Sequence, residues 1–380
     1  MKLILTIIFI ALVLSSCVLP GGIAPNTENI LPPPTDVEKV SPLNTEIPAS
    51  GPVKLYADVR EKDLSVYGVS LGEPTILTLW FNKTTKWFGN DGSIAQRILE
   101  IGKNPGLGVR GLHSRGITGK GVTVAIIDQN MQTDHPEFFG KIVKYQDFGT
   151  NQGPNEGSMH GPAVTSLLVG ETIGTAPGAR VYYASVPSWL EDAQYYADAL
   201  TWIISENALL PADQKIRVVS VSAAPSGQGT PFSKNNKAWD NAVIEALAQG
   251  ILILDCTDNK GITAPCHYNI NDQENPGACV PGYAGVEKLP NTNRIFIPSS
   301  YRTTAEEYYK GDYGFQYDGQ GGLSWTTPYL AGVLAMGWQL RPDLTGDELL
   351  KIIYDTSYEW DENIKIINPP AFIEGVEAAK

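Results

Sequence analysis

Hydrophobic and polar positions fall into two regimes along the chain. Four short runs, VTVAIID (122–128), RVYYASV (180–186), IRVVSVS (216–222) and ILILDC (251–256), are apolar almost throughout. Such runs predict strands buried on both faces of a parallel sheet. Between them, AQYYADALTWIISEN (193–207) and KAWDNAVIEALAQG (237–250) carry apolar residues three and four apart, the spacing of helices with one face on a core. Strand and helix therefore take turns from residue 94 onward. The expected main domain, 94–380, is α/β with a mostly parallel central sheet and helices on both faces. Ahead of it, VKLYADVREKDLSVYG (53–68) and TILTLWFNKTTKWF (75–88) alternate enough to predict short strands. Residues 54–93 thus read as a small accessory or pro-region. No internal repeat is visible.

The first apolar run, LILTIIFIALVL (3–14), follows Lys2 and ends in LSSC. A charged start, a short apolar stretch and small residues make an export signal, and the run is short for a membrane span. The last four residues resemble the lipobox of bacterial lipoproteins. That resemblance implies a signal peptide over 1–16, lipidation of Cys17 and anchoring to the outside of a bacterial cell membrane. Residues 17–53, rich in Pro, Asn, Thr and Ser, read as a flexible tether. Charged residues are 18% of the 380, with 38 Gly and 27 Pro, a globular composition rich in turns. The formal net charge is −13, one unit more negative once Lys2 leaves with the leader. No basic patch points to nucleic acid. Export leaves Cys256, Cys266 and Cys279, for which a loop disulfide between Cys266 and Cys279, free thiols and a metal site all stay open.

Candidate chemistry begins with GQGGLSWTTPYLAG (319–332). Pro328 belongs in a first helical turn, which sets Ser324 at a helix start behind Gly319, Gly321 and Gly322. These glycines are expected to allow positive φ and close approach of a substrate. A serine nucleophile needs a base, an orienting group and oxyanion donors. Four histidines are available. His113 reads as a surface residue, His135 as a turn or packing residue, and His267 sits in the cysteine loop. His160 opens an apolar helix, where it would stand beside a cleft. Asp128 ends the first parallel strand, at the sheet edge where reactive groups gather. The order Asp128, His160, Ser324 excludes an α/β-hydrolase, which needs a histidine after the serine.

These blocks resemble the subtilisin-like serine peptidases. GLSWTTPYLAG is similar to the family's nucleophile block, GITGKGVTVAIIDQNMQTDHPEF to its aspartate block, and MHGPAVTSLLVGETIGTAPGARVYYASV to its histidine block. VVSVSAAPSG resembles the substrate-pairing strand, giving Ser222, Ala223 and Ala224 to substrate binding. ILILDCTDNKG resembles the oxyanion segment, giving Asn259 as donor. The resemblance implies an Asp-His-Ser endopeptidase acting on proteins or peptides, with no cofactor and with structural calcium by analogy alone. Departures include QN after the aspartate, HGP for His-Gly-Thr, Asp258 before the asparagine, Ala224 and Pro225 in the substrate strand, and Trp325 where Met is usual. They suggest a divergent branch with a crowded specificity pocket. The alternative is a catalytically inactive, binding or regulatory relative. A solute-binding lipoprotein gives no reason for the ordered triad.

Overall fold

The computed structural model describes residues 53–150, 158–257, 261–284, 294–309 and 311–379. The signal peptide, Cys17 and all but the last residue of the tether lie outside the described residues, and so does Asn259.

The first described segment differs from the two strands expected of it. A 3-10 turn, Leu64–Tyr67, is capped by Asp63, and helix α1 (Gly72–Thr78) follows. Only β1 (Trp80–Asn82) is a strand. Gly72 takes a φ of +73°, and Pro74 falls in the first turn of α1, where a missing N–H costs little. The residues from Glu73 to Thr78 are buried on every side, so their apolar pattern carries no helical period. Helices α2 (Asp91–Ile101) and α3 (Val109–Ser114) lead into the main sheet.

That sheet holds β2 (Thr123–Asp128), β3 (Ile142–Asp147), β4 (Arg180–Ser185), β5 (Ile216–Val221) and β6 (Leu252–Leu254). The strands are parallel throughout, in the order β3-β4-β2-β5-β6. All six residues of β2 are buried, and its two-residue period divides them between two cores. Val124 and Ile126 join the cluster of α4 (His160–Val169), while Ala125 and Ile127 join that of α5 (Ala193–Leu209) and α6 (Asn236–Ala248). Layers of helix on both faces follow from this division.

Two smaller sheets complete the molecule. One contains β7 (Thr263–His267), β8 (Val280–Pro281) and β9 (Ile295–Pro298). The other pairs β10 (Arg302–Tyr309) and β11 (Asp312–Asp318) with β1, antiparallel, in the order β1-β11-β10. After β11 the chain enters α7 (Thr326–Leu340), which is buried from Thr326 to Trp338, and then α8 (Gly346–Thr356). The hairpin of β12 (Tyr358–Asp361) and β13 (Ile364–Ile366) extends the β7–β9 sheet, and α9 (Pro369–Ala378) packs on α7 and α8.

Candidate active site

Asp128 stands at the carboxyl end of β2, flanked by β4 and β5. In an open parallel sheet, this end of a central strand is where side chains meet a cleft. His160 is the first residue of α4, and its Nδ1 lies 2.6 Å from Asp128 Oδ1. Both side chains are buried, at 7% and 4% exposure, so water competes little for this bond. The Gln129 N–H also donates to Asp128 Oδ1, at 2.8 Å, which fixes the carboxylate's orientation.

The glycine after the histidine has a steric reason. A Cβ on Gly161 would stand 2.5 Å from the Gln129 carbonyl oxygen and 2.8 Å from that of Asn130. Tyr183 donates its hydroxyl to the same Gln129 carbonyl. Burial, with the Asp128 charge behind it, raises the Tyr183 pKa well above the ordinary value, so the hydroxyl remains a donor. The turn carrying Asp128 and the helix carrying His160 are thereby locked together.

Ser324 occupies the 3-10 turn Leu323–Trp325, directly before α7, and is half-buried. Pro328 falls in the first turn of α7, as the sequence pattern required. The ring of Trp325 lies 5.5 Å from that of His160, centroid to centroid, with the planes 28° apart. This stacking brings the serine turn beside the imidazole. The Ser324 hydroxyl itself donates to the Ser222 carbonyl over a long 3.5 Å.

Ser222, Ala223 and Ala224 follow β5, and all three are buried. The Ser222 hydroxyl donates to the Ser324 carbonyl at 2.8 Å. The Ala223 carbonyl accepts from the Cys256 N–H at 2.9 Å, and that of Ala224 from the Thr230 hydroxyl at 2.6 Å. Ala224, Cys256 and Leu323 form a small apolar cluster with Tyr283 packed against it. The segment thus adjoins the serine turn, and all three of its carbonyls accept hydrogen bonds inside the fold. Asn259 lies outside the described residues.

The glycines before Ser324 do something other than expected. A Cβ at Gly319 would stand 2.4 Å from the Leu77 carbonyl oxygen, and one at Gly321 2.2 Å from that of Ser299. Of the three, only Gly321 has a positive φ, +77°. These two positions admit the protein's own backbone. Only Gly322, whose Cβ would meet nothing closer than 4.0 Å, faces open space.

Asp318 is a residue that the sequence reading missed. Its Oδ1 accepts from the Gln320 and Gly321 N–H groups at 3.0 and 2.9 Å, and its Oδ2 from Trp325 Nε1 at 3.3 Å. One carboxylate therefore braces the chain on both sides of Ser324. Burial pushes its pKa up against the pull of those donors. The available signal was an aspartate immediately before a glycine-rich turn, a common Asx-turn pattern.

The other histidines lie elsewhere. His113 is half-buried and bonded to the Thr175 carbonyl at 2.9 Å, and His135 stacks on Phe138. His267, in β7, is buried, which lowers its pKa to about 4. Of the cysteine states left open, the structure selects unbridged, buried thiols: Cys256, Cys266 and Cys279 form no disulfide. No group of three His, Cys, Asp or Glu able to hold a metal occurs among the described residues.

The sequence profile of the subtilase family matches residues 119–368. Serine protease AprX of Bacillus subtilis (strain 168) is 24% identical over 327 residues, covering 76% of this chain and 70% of its own. Thermitase of Thermoactinomyces vulgaris is 28% identical over 235 residues, covering 57% and 75%. Among solved structures, one described as the structural basis of subtilase cytotoxin SubAB assembly superposes with a TM-score of 0.56 at 16% identity, covering 72% of this chain and 95% of that one. A protease from Pseudoalteromonas arctica gives 0.52 at 16%, covering 72% and 94%. At that identity the two structures show the fold alone. The family match spans the aspartate strand, the histidine helix and the serine turn together, and the chain belongs to the subtilase family of serine peptidases.

Proposed function

We propose that this subtilase is an exported, lipid-anchored endopeptidase that hydrolyses protein or peptide substrates through Asp128, His160 and Ser324. Ser324 Oγ attacks the scissile carbonyl, and His160 Nε2 takes its proton and returns it to the leaving amine. Asp128, on Nδ1, holds the ring in the working tautomer and stabilises the imidazolium that forms. The Asn259 side-chain amide and the Ser324 N–H hold the oxyanion. Substrate adds as a strand along Ser222–Ala224. The observation that carries this reading is the buried 2.6 Å bond between Asp128 and His160, with Trp325 stacked on the same ring beside the serine turn. Catalytic hydrogen bonds often form or tighten only when substrate is bound.

One observation favours a second reading, an inactive binding relative: the serine hydroxyl points to the Ser222 carbonyl. A fluorophosphonate probe separates the two. Active protein is labelled at Ser324, and Ser324→Ala abolishes the label; equal labelling of both, or of neither, rules out the peptidase. Asn259→Ala is expected to slow turnover about 10²- to 10³-fold with the fold intact. Anchoring at Cys17 is tested by mass spectrometry of the mature N-terminus, where a lipid-modified cysteine is expected. Cys17→Ser should release the protein from the membrane fraction.

A further inference from the structure

We infer that residues 53–88 are a permanent brace for the loop carrying Ser324, and are not a pro-region that leaves the mature protein. β1 pairs with β11 in a fixed register: Trp80 faces Asp318, Phe81 faces Tyr317 and Asn82 faces Gln316. The Gly319 N–H donates to the Leu79 carbonyl at 3.1 Å, and the Tyr317 hydroxyl to that of Leu77 at 3.0 Å. The Gln316 side-chain oxygen accepts from both Trp80 Nε1 and Arg60, at 2.8 and 2.9 Å, while Arg60 lies 3.6 Å from the Trp80 ring centroid. From this strand the linkage is continuous to the catalytic base. Asp318 holds Gln320, Gly321 and the Trp325 indole, and the indole stacks on His160.

The packing is that of a core. Val59, Leu64, Ile76, Leu77, Leu79 and Phe81 are buried in the same hydrophobic cluster as α7. Loss of the segment strips that cover and leaves β11 an open edge strand. A segment built to depart meets its host across a separable surface; this one has no such surface. Asp318 and Trp80 are therefore positioning residues, acting on the reaction through the serine turn.

The test uses the full chain with a site-specific protease recognition sequence inserted at Gly89, an exposed turn where an added Cβ meets nothing. Cutting is expected to leave the N-terminal fragment bound in size-exclusion chromatography, with fluorophosphonate labelling of Ser324 unchanged. Stripping the fragment in mild denaturant should slow labelling at least tenfold and speed hydrogen exchange across 316–325. Adding the fragment back should restore both. Spontaneous release of the fragment with faster labelling overturns the inference, and so does a stripped protein with unchanged labelling and exchange. Because a stripped protein can fail to refold, Gly319→Ala is a second probe. Its Cβ is forced against the Leu77 carbonyl, so labelling should slow and exchange rise with secondary structure retained, while Gly111→Ala, in open space, changes neither. The labelling arm rests on the peptidase reading and the exchange arm does not. If no form is labelled, the peptidase reading falls and exchange alone decides the brace.

Discussion

A methyl group at Gly161 has nowhere to go except into the carbonyls of Gln129 and Asn130. Gly161→Ala should therefore push α4 off the aspartate turn and move His160 from Asp128. The expected outcome is a loss of about 1–3 kcal/mol in stability, the usual cost of overpacking, with peptide turnover falling more than tenfold; urea unfolding and a fluorogenic peptide assay measure the two. Asp128→Asn keeps the shape of the pair but favours the wrong tautomer, for which a fall of about 10⁴ in kcat is expected. Labelling of Ser324 as fast as in the parent protein would show that the aspartate does not orient the base. The proposed triad could be nominated from the sequence because each member lies in a local pattern that carries its own chemistry: an apolar run ending in Asp, a His opening a small-residue helix, a Ser ahead of a helical Pro. The bracing by Asp318 and the close contact at Gly319 were not legible. The Gly319 contact depends on strand pairing with Leu77–Asn82, remote in the chain, where the bonded pair Trp80 and Gln316 stand 236 positions apart, and the reach of Asp318 to the Trp325 indole depends on how the serine turn folds back.

At the level of elements, four of the five parallel strands could be read because burial on both faces demands an unbroken apolar run, whereas the edge strand β3, exposed or half-buried along its length, carries no such run. The opening segment misled for the complementary reason. A helix buried all round, such as α1, loses the 3.6-residue period, and its Thr-Ile-Leu-Thr passes for a strand. Local capping was within reach but went unused. Thr345 accepts from the Glu348 N–H at 3.3 Å, while Glu348 accepts from the Thr345 N–H at 2.8 Å. This reciprocal pair opens α8, which packs on α7 and α9. Thr345→Ala should cost about 1 kcal/mol of unfolding free energy and leave turnover alone, since no residue of the site lies on α8. A fall in turnover at unchanged stability would instead tie α8 to catalysis.

At the scale of the whole molecule, two of the buried groups, His267 and Glu307, set opposite slopes on its stability. Burial lowers the His267 pKa to about 4 from an ordinary 6.5. The unfolded chain binds that proton first on acidification, so the histidine's contribution is intact above pH 6.5 and is lost as pH falls toward 4. Burial raises the Glu307 pKa to about 8 from 4.5, against a Gln132 N–H that donates to its carboxylate at 2.8 Å. Here the folded state keeps the proton longer. That contribution is complete below pH 4.5 and is lost as pH rises through 8. Between 4.5 and 6.5 these two changes oppose each other. From 6.5 to 8 the glutamate's contribution to unfolding free energy should fall by roughly 1.4 kcal/mol per pH unit. Glu307→Gln keeps an acceptor for the Gln132 N–H and removes the titration. In urea unfolding, the advantage of this variant over the parent protein should then widen by about 2 kcal/mol from pH 6.5 to 8. Glu307 sits on β10, against the helix that carries His160, so a carboxylate forced to ionise there should loosen the wall behind the proposed base. Turnover of the parent protein should consequently decline on the alkaline side sooner than that of the glutamine variant, and parallel pH profiles of the two would show that ionisation of Glu307 stays local.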